Sequence, residues 1–360
     1  GAGTGRAMTG PTTGPTTGPT TEPTTGPTTD RPTGGPVTVP IVTDTPRERL
    51  LALVQQQGST AVLVIVVVLA CLFSPGFADW GNFQSILVGN AYTSLLALGM
   101  TFVIISGGID LSVGSVFALG GVLAAWGVDH GGAPVAVLLP LVCCGALGTV
   151  QGLLITRARL APFIVTLAGL LFARGFLQAM SNEGSTTYLV PPGSAFLALG
   201  RGAWVPILTA VVLFAGGAVL LLRTRFGQAL FAIGGSENAA LLMGLPVART
   251  KTLVYTLSGL LAGGAGMLNA ARLQSGVTNI GVGYELTAIA AVIIGGTLLT
   301  GGAGSVAGTA SGVLLLAVIL NLIGVHLSEY GSSASDLVNG AFLAVVVLLQ
   351  TVLSRRRRLL

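Results

Sequence analysis

Residues 286–328 contain no Asp, Glu, Lys or Arg. A stretch of that kind is at home in a bilayer, where one spanning helix needs about 20 predominantly apolar residues. It is too long for one crossing and must turn once, and Gly301-Gly302-Ala303-Gly304 is where the chain has the freedom to do so. From Arg47 onward the rest of the sequence follows the same plan, with apolar runs separated by short charged or glycine-rich breaks. The expected spans are 58–75, 85–106, 113–128, 134–155, 161–180, 203–222, 252–270, 285–300, 304–325 and 336–353. Only 8% of the chain is charged and 52% is hydrophobic, against roughly 25% charged residues in a soluble domain. The expected fold class is therefore an all-α integral membrane protein of about ten transmembrane helices.

Three regions differ in composition. Residues 1–46 form a Thr/Gly/Pro-rich tail in which Thr9 to Thr28 repeats Thr-Gly-Pro-Thr, once as Thr21-Glu22-Pro23-Thr24. With nothing apolar to bury, nothing offsets its chain entropy, so it is expected to be disordered. Residues 47–354 are the membrane domain, and 355–360 a basic C-terminal end. Basic residues favour the cytoplasmic side of short loops. With ten spans and both termini inside, Arg47, Arg49, Arg157, Arg159, Arg223, Arg225, Arg249, Lys251 and Arg355 to Arg358 all fall on that side, with Arg201 and Arg272 as exceptions. The net charge of +5 thus reflects span ends rather than a basic stripe, and no nucleic-acid partner is expected.

Three segments stand out. In Gly107-Gly108-Ile109-Asp110-Leu111-Ser112-Val113-Gly114-Ser115 paired glycines break the helix just before a carboxylate and hydroxyls. Broken backbone at membrane depth is tolerated only where it is buried in protein or lines a cavity. Two readings stay open for Asp110: it caps the next helix, or it sits with Ser112 and Ser115 at a gate or on a polar route. A partial echo, Val292-Ile293-Ile294, then Gly295, Gly296 and Thr297, then Gly304-Ser305-Val306, answers Val103-Ile104-Ile105 through Gly114-Ser115-Val116. It hints at two pseudo-related halves.

The second segment is the break from Arg223 to Lys251. After Gly234-Gly235, Ser236 is a good N-cap and Glu237 suits the first turn. Ala239 and Ala240 favour helix, and Gly244 followed by Pro246 ends it. A short cytoplasmic helix with a small-residue surface is expected, either resting on headgroups or docking into a groove on a soluble partner. In the docking case, arginine at positions 237 and 240 should uncouple it without unfolding the bundle. The third segment is Ala161-Pro162-Phe163-Ile164-Val165-Thr166-Leu167, with Pro162 in a first helical turn. Arg174 and Glu285 lie near outer span ends, where snorkelling or interface pairing accounts for them.

Some chemistry is excluded. The only lysine reads Thr250-Lys251-Thr252, so the Gly-Lys-Ser/Thr phosphate loop of ATPases is absent. Cys71, Cys143 and Cys144 lie in apolar runs, without a disulfide framework or zinc spacing. No nucleophile–base constellation stands out, so no catalytic residue and no metal site is expected.

These segments, together with Tyr284-Glu285-Leu286 and Ile289-Ala290-Ala291-Val292-Ile293-Ile294-Gly295-Gly296-Thr297, resemble the permease subunits of ribose-type sugar ABC importers. The match covers roughly residues 55–353 and is most similar to galactofuranose-type permeases over Gly99–Gly121 and Thr224–Lys251. The resemblance implies a multi-pass protein of the bacterial cytoplasmic membrane that moves a monosaccharide by alternating access. Its implied partners are a second permease subunit, the same or related, a cytosolic ATP-binding-cassette ATPase and an extracytoplasmic sugar-binding protein. ATP and magnesium belong to the ATPase, and no cofactor is implied for this chain. The coupling element is implied at Gly235, Ser236, Glu237, Ala239, Ala240 and Gly244. An ion-driven secondary transporter, a membrane scaffold, or a permease for nucleosides or branched-chain amino acids are the competing readings. The first would want several intramembrane carboxylates, where Asp110 is the one deep candidate.

Overall fold

The computed structural model describes residues 46–327 and positions 337, 338, 340 and 341, with side chains over 58–325. The tail 1–45, nearly all of the expected span 336–353 and the basic end 355–360 lie outside the described residues.

The helices are α1 (Pro46–Phe73), α2 (Trp80–Ile105), α3 (Val113–Thr156), α4 (Pro162–Met180), α5 (Trp204–Arg223), α6 (Arg225–Gly235), α7 (Glu237–Leu242), α8 (Val247–Leu273), α9 (Tyr284–Ile294) and α10 (Val306–Leu327). Among the described residues, six (α2, α3, α4, α5, α8 and α10) are long and apolar enough to cross a membrane. The bundle is helical and multi-pass, but this support stops short of ten spans and of two related halves. Two short strands, β1 (Tyr188–Leu189) and β2 (Ser275–Gly276), pair antiparallel and are the exception to an all-α chain.

The expected spans 113–128 and 134–155 are the two limbs of α3. Gly132 leaves helical geometry at φ 69°, ψ −162°, and a Cβ on Gly127 would lie 3.0 Å from Ala136. Nine residues of straight helix would hold those positions about 13 Å apart, so the chain reverses there. Both limbs pack on α8. A Cβ on Gly120 or Gly121 would run into the backbone of Gly263 or Gly266, and one on Gly148 or Gly152 into Tyr255 or Thr252. Small residues let these backbones meet in lipid, where apolar packing alone supplies little drive to associate. Hydroxyl pairs lace this seam and others: Thr149 of α3 with Thr256 of α8 at 2.8 Å, Thr101 of α2 with Thr309 of α10 at 2.8 Å, and Thr60 of α1 with Ser311 of α10 at 2.8 Å. By contrast Val211, Val212, Val219 and Leu222 on α5, and Phe163, Ile164, Leu171 and Phe172 on α4, face outward, as side chains in contact with lipid do.

The span expected at 285–300 departs from its pattern. α9 has 11 residues, about 16 Å of helix against a hydrocarbon core of about 30 Å. Residues 277–283 lead into it as non-helical backbone, and Arg174 Nη1 donates to the carbonyls of Thr278 at 2.9 Å and Ile280 at 3.2 Å. The Arg174 guanidinium is thus engaged within the protein. It satisfies carbonyls that an irregular segment would otherwise leave bare. Glu285, in the first turn of α9, packs against the start of α3, where a Cβ on Gly114 would collide with its carboxylate.

Candidate functional site

α2 is stopped at Ile105 by two glycines. Gly107 takes φ 79°, a left-handed conformation that glycine reaches without steric penalty, and the Tyr255 hydroxyl lies over Gly108 where no Cβ fits. The chain then turns Asp110 inward, where it is 1% exposed. Its Oδ1 accepts the Ser112 backbone N–H at 2.9 Å and the Ser112 hydroxyl at 2.6 Å, and its Oδ2 accepts the Ser258 hydroxyl of α8 at 2.7 Å. Oδ1, accepting the amide two residues on at the entry to α3, makes a contact of the helix-capping kind, while Ser112, the residue just before the helix, makes no side-chain cap bond of its own. Oδ2 in addition ties the broken segment to α8 across 148 positions of sequence.

Two members of this cluster lie outside the segments that stand out in the sequence. Ser258 belongs to a run of small residues in α8. Gln151, in the second limb of α3, has Oε1 3.3 Å from Ser112 Oγ, while its Nε2 has no hydrogen-bond partner and faces Gly169. Ser112 has one hydroxyl proton and commits it to Asp110, so the Gln151 amide completes the network with its NH2 turned toward Ser112. The signal was in the sequence: Gln151 is the one amide in the apolar run 134–155. Thr166, from the third segment, has its one hydroxyl proton between the Pro162 carbonyl at 2.9 Å and the Ile109 carbonyl at 3.3 Å, so α4 lies against the same break. Ser115 is buried one turn into α3.

Gly295, Gly296 and Thr297 end α9 and are brought near this break through Ile105. The Gly302 N–H donates to the Ile105 carbonyl at 2.9 Å, and a Cβ on Gly304 would touch both Thr297 and Ile105. Thr297 is buried, and its hydroxyl has no partner. The expected turn at 301–304 is present, and its Gly301 and Gly302 pack directly on Gly107 and on Gly234-Gly235. The end of α2, the turn after α9 and the end of α6 thus meet backbone to backbone.

From that junction the chain enters α7. Ser236 Oγ accepts the Ala239 N–H at 3.3 Å. The helix stops as its chemistry dictates: Gly244 at φ 76° donates to the Leu241 carbonyl, and Leu245 N–H to Ala240, a Schellman close. Glu237 pairs with Lys251, the one lysine in the chain. Of the residues expected on this surface, Gly235, Ser236, Glu237, Ala239 and Gly244 are exposed, and Ala240 is the correction: it is 0% exposed against Ala229, Ile233 and Val247. Beside the exposed small residues project Leu241, Leu242 and Met243, with Leu242 90% exposed. The Ala240→Arg substitution expected to spare the fold would disrupt this packing. α6 itself, with Gly227, Ala229, Leu230 and Ile233 buried, was not foreseen as a helix.

Residues 82–349 match the protein-family profile described as branched-chain amino acid transport system / permease component. The chain is 39% identical over 317 residues to the ribose import permease protein RbsC of Bacillus subtilis, covering 87% of this chain and 98% of that one. It is 43% identical over 263 residues to the inner membrane ABC transporter permease protein YjfF of Escherichia coli, covering 69% and 77%. With the fructose import permease protein FruG of Bifidobacterium longum it shares 32% over 310 residues, covering 81% and 89%. No solved structure gives a significant match. With most of its length matched by the profile, and relatives this similar over 69% to 87% of it, the chain belongs to this family of import permeases.

Proposed function

We propose that the chain is the membrane-spanning subunit of an ABC importer for a monosaccharide, with galactofuranose or a ribose-like sugar favoured. The observation that carries this reading is the direct path from α7 to the broken segment. A projecting apolar tip, Leu241 to Met243, leads in a few residues to the glycine junction, and so to Gly107 and the Asp110 network. In this reading the tip and the exposed Arg157, Arg159, Arg225 and Arg249 are cytoplasmic, both termini lie on that side, and an ATPase docks on Ser236–Gly244. Its closure moves α7, the junction transmits the motion, and the broken segment opens by alternating access. Asp110, Ser112, Ser115 and Thr297, all buried here, belong to a route that is closed. A second copy or a related chain completes the pathway, and a binding protein delivers sugar at the opposite face in the bacterial inner membrane.

The names of the relatives support sugar over branched-chain amino acids or nucleosides. Ribose and fructose both have furanose ring forms, in line with the likeness to galactofuranose-type permeases. One ionisable group at the break gives little basis for an ion-coupled carrier. The test is uptake of radiolabelled ribose, fructose and galactofuranose by vesicles holding this chain with its cognate ATPase and binding protein. ATP-dependent uptake of one of them is expected. Uptake driven by an ion gradient with the ATPase omitted would sink the proposal.

A further inference from the structure

Away from the break, the outer half of α4 and the non-helical leg 277–282 enclose a cleft of about 510 Å³, within the range of small-molecule sites. Beside Val277 and Val282, it presents the polar side chains of Arg174, Gln178, Glu183, Thr187, Thr278 and Asn279. Hydroxyl, amide, carboxylate and guanidinium groups in one cleft are the complement of a polyhydroxylated ligand, which both donates and accepts at every carbon.

The walls are built rather than incidental. Arg174 pins the leg through two carbonyls. On the other side, Asn182 and Glu183 both take left-handed backbone, at φ 48° and 58°, followed by Gly184 at 85°. Such a run in non-glycine residues persists only where its surroundings hold it. Here the Glu183 N–H donates to the Gln178 carbonyl at 2.9 Å and the Gly184 N–H to Ser181 Oγ at 3.1 Å, so the rim is set with the Glu183 residue on the cleft. Among the described residues, no Trp, Tyr or Phe lines it. The leg that forms the inner wall ends with Gly281 against Gly114, two residues beyond Ser112 and its bond to Asp110.

We infer that this cleft is the loading site where a free monosaccharide is held before it passes to the broken segment. The inference rests on the import reading and adds the place where the sugar first contacts the permease. Its occupancy is sensed by the 277–282 leg, whose far end packs on the start of α3.

The test uses the full importer in vesicles, with Cys71 and Cys143 replaced by alanine and single cysteines placed as Gln178→Cys, Asn279→Cys or, outside the cleft, Asp129→Cys. A charged, membrane-impermeant thiol reagent is applied at the face of the cleft, with D-ribose or D-fructose as the probe. A saturating sugar titration is expected to slow modification at 178 and 279 about tenfold, as occupancy approaches nine-tenths, and to leave 129 unchanged. In parallel, Gln178→Leu with Asn279→Leu is expected to lower maximal uptake about tenfold while the ATPase still co-purifies. If the parent importer takes up a sugar that protects neither cysteine, the loading site is refuted and the import function stands. If the parent takes up neither sugar nor any other, the import reading fails and the loading site with it.

Discussion

Leu242 offers the sharpest probe of the docking reading because it is 90% exposed and contributes almost nothing to the bundle's own packing. Replacing it with alanine removes three side-chain carbons. If they are buried in an ATPase groove, the loss is about 2.4 kcal/mol at ~0.8 kcal/mol per carbon, or about 50-fold in Kd at ~1.4 kcal/mol per decade. The stability of the isolated chain should change by less than about 0.5 kcal/mol, as for other exposed positions. The assay is titration of the detergent-purified chain, wild type and Leu242→Ala, with its cognate ATPase on a sensor surface, alongside unfolding of each chain alone. The exposed Asp129, replaced by asparagine, serves as the control away from the docking segment. A Kd within about twofold of wild type, with unfolding unchanged, would refute the placement of the ATPase on this tip. The Ala240→Arg change that the sequence suggested is no substitute, because that side chain is buried against α6 and α8 and its failure would report misfolding.

The other predictions concern the break and the junction. Ser258→Ala leaves Asp110 Oδ2 with one hydrogen-bond donor fewer and should destabilise the chain by about 1–3 kcal/mol, measured by unfolding in detergent. Asp110→Asn keeps the shape but loses the charge-assisted bonds, so uptake should fall about tenfold for a loss near ~1.4 kcal/mol. Full uptake in that variant would leave the carboxylate as a tie between segments only. Gln151→Leu removes the amide facing Ser112, and uptake should fall while ATPase binding holds, as read by uptake beside co-purification. Gly234→Ala drives a methyl into the Ile105 carbonyl and the Gly302 amide, an overpacking penalty of about 1–3 kcal/mol. It should block uptake while the α7 tip still binds its partner, a split that uptake and affinity measured together would reveal.

What the sequence determined by itself is the part governed by local chemistry. Apolar run length decides where a helix crosses, which is why α2, α4, α5, α8 and α10 lie where the runs predict them. Ser236 and Gly244 set the ends of α7 because a cap and a left-handed stop act within a few residues, and the glycines at 107 and 301 mark breaks for the same reason. Only the tertiary structure decided which faces are buried and which distant groups meet. Ala240 turns inward and Leu242 outward because α6 and α8 cover one side of α7, a fact absent from the six residues themselves. Ser258 and Gln151 join Asp110 from 148 and 41 positions away, and Arg174 holds a leg over a hundred residues downstream. α9 stops at half a span because Gly296, at φ 89°, lets the Gly296 and Thr297 N–H groups close on Ile293 and Val292, and the irregular leg 277–283 before it is held by Arg174 of α4. Buried polar groups must find partners wherever the fold brings them, and in a chain this rich in glycine and alanine that choice belongs to packing rather than to spacing along the sequence.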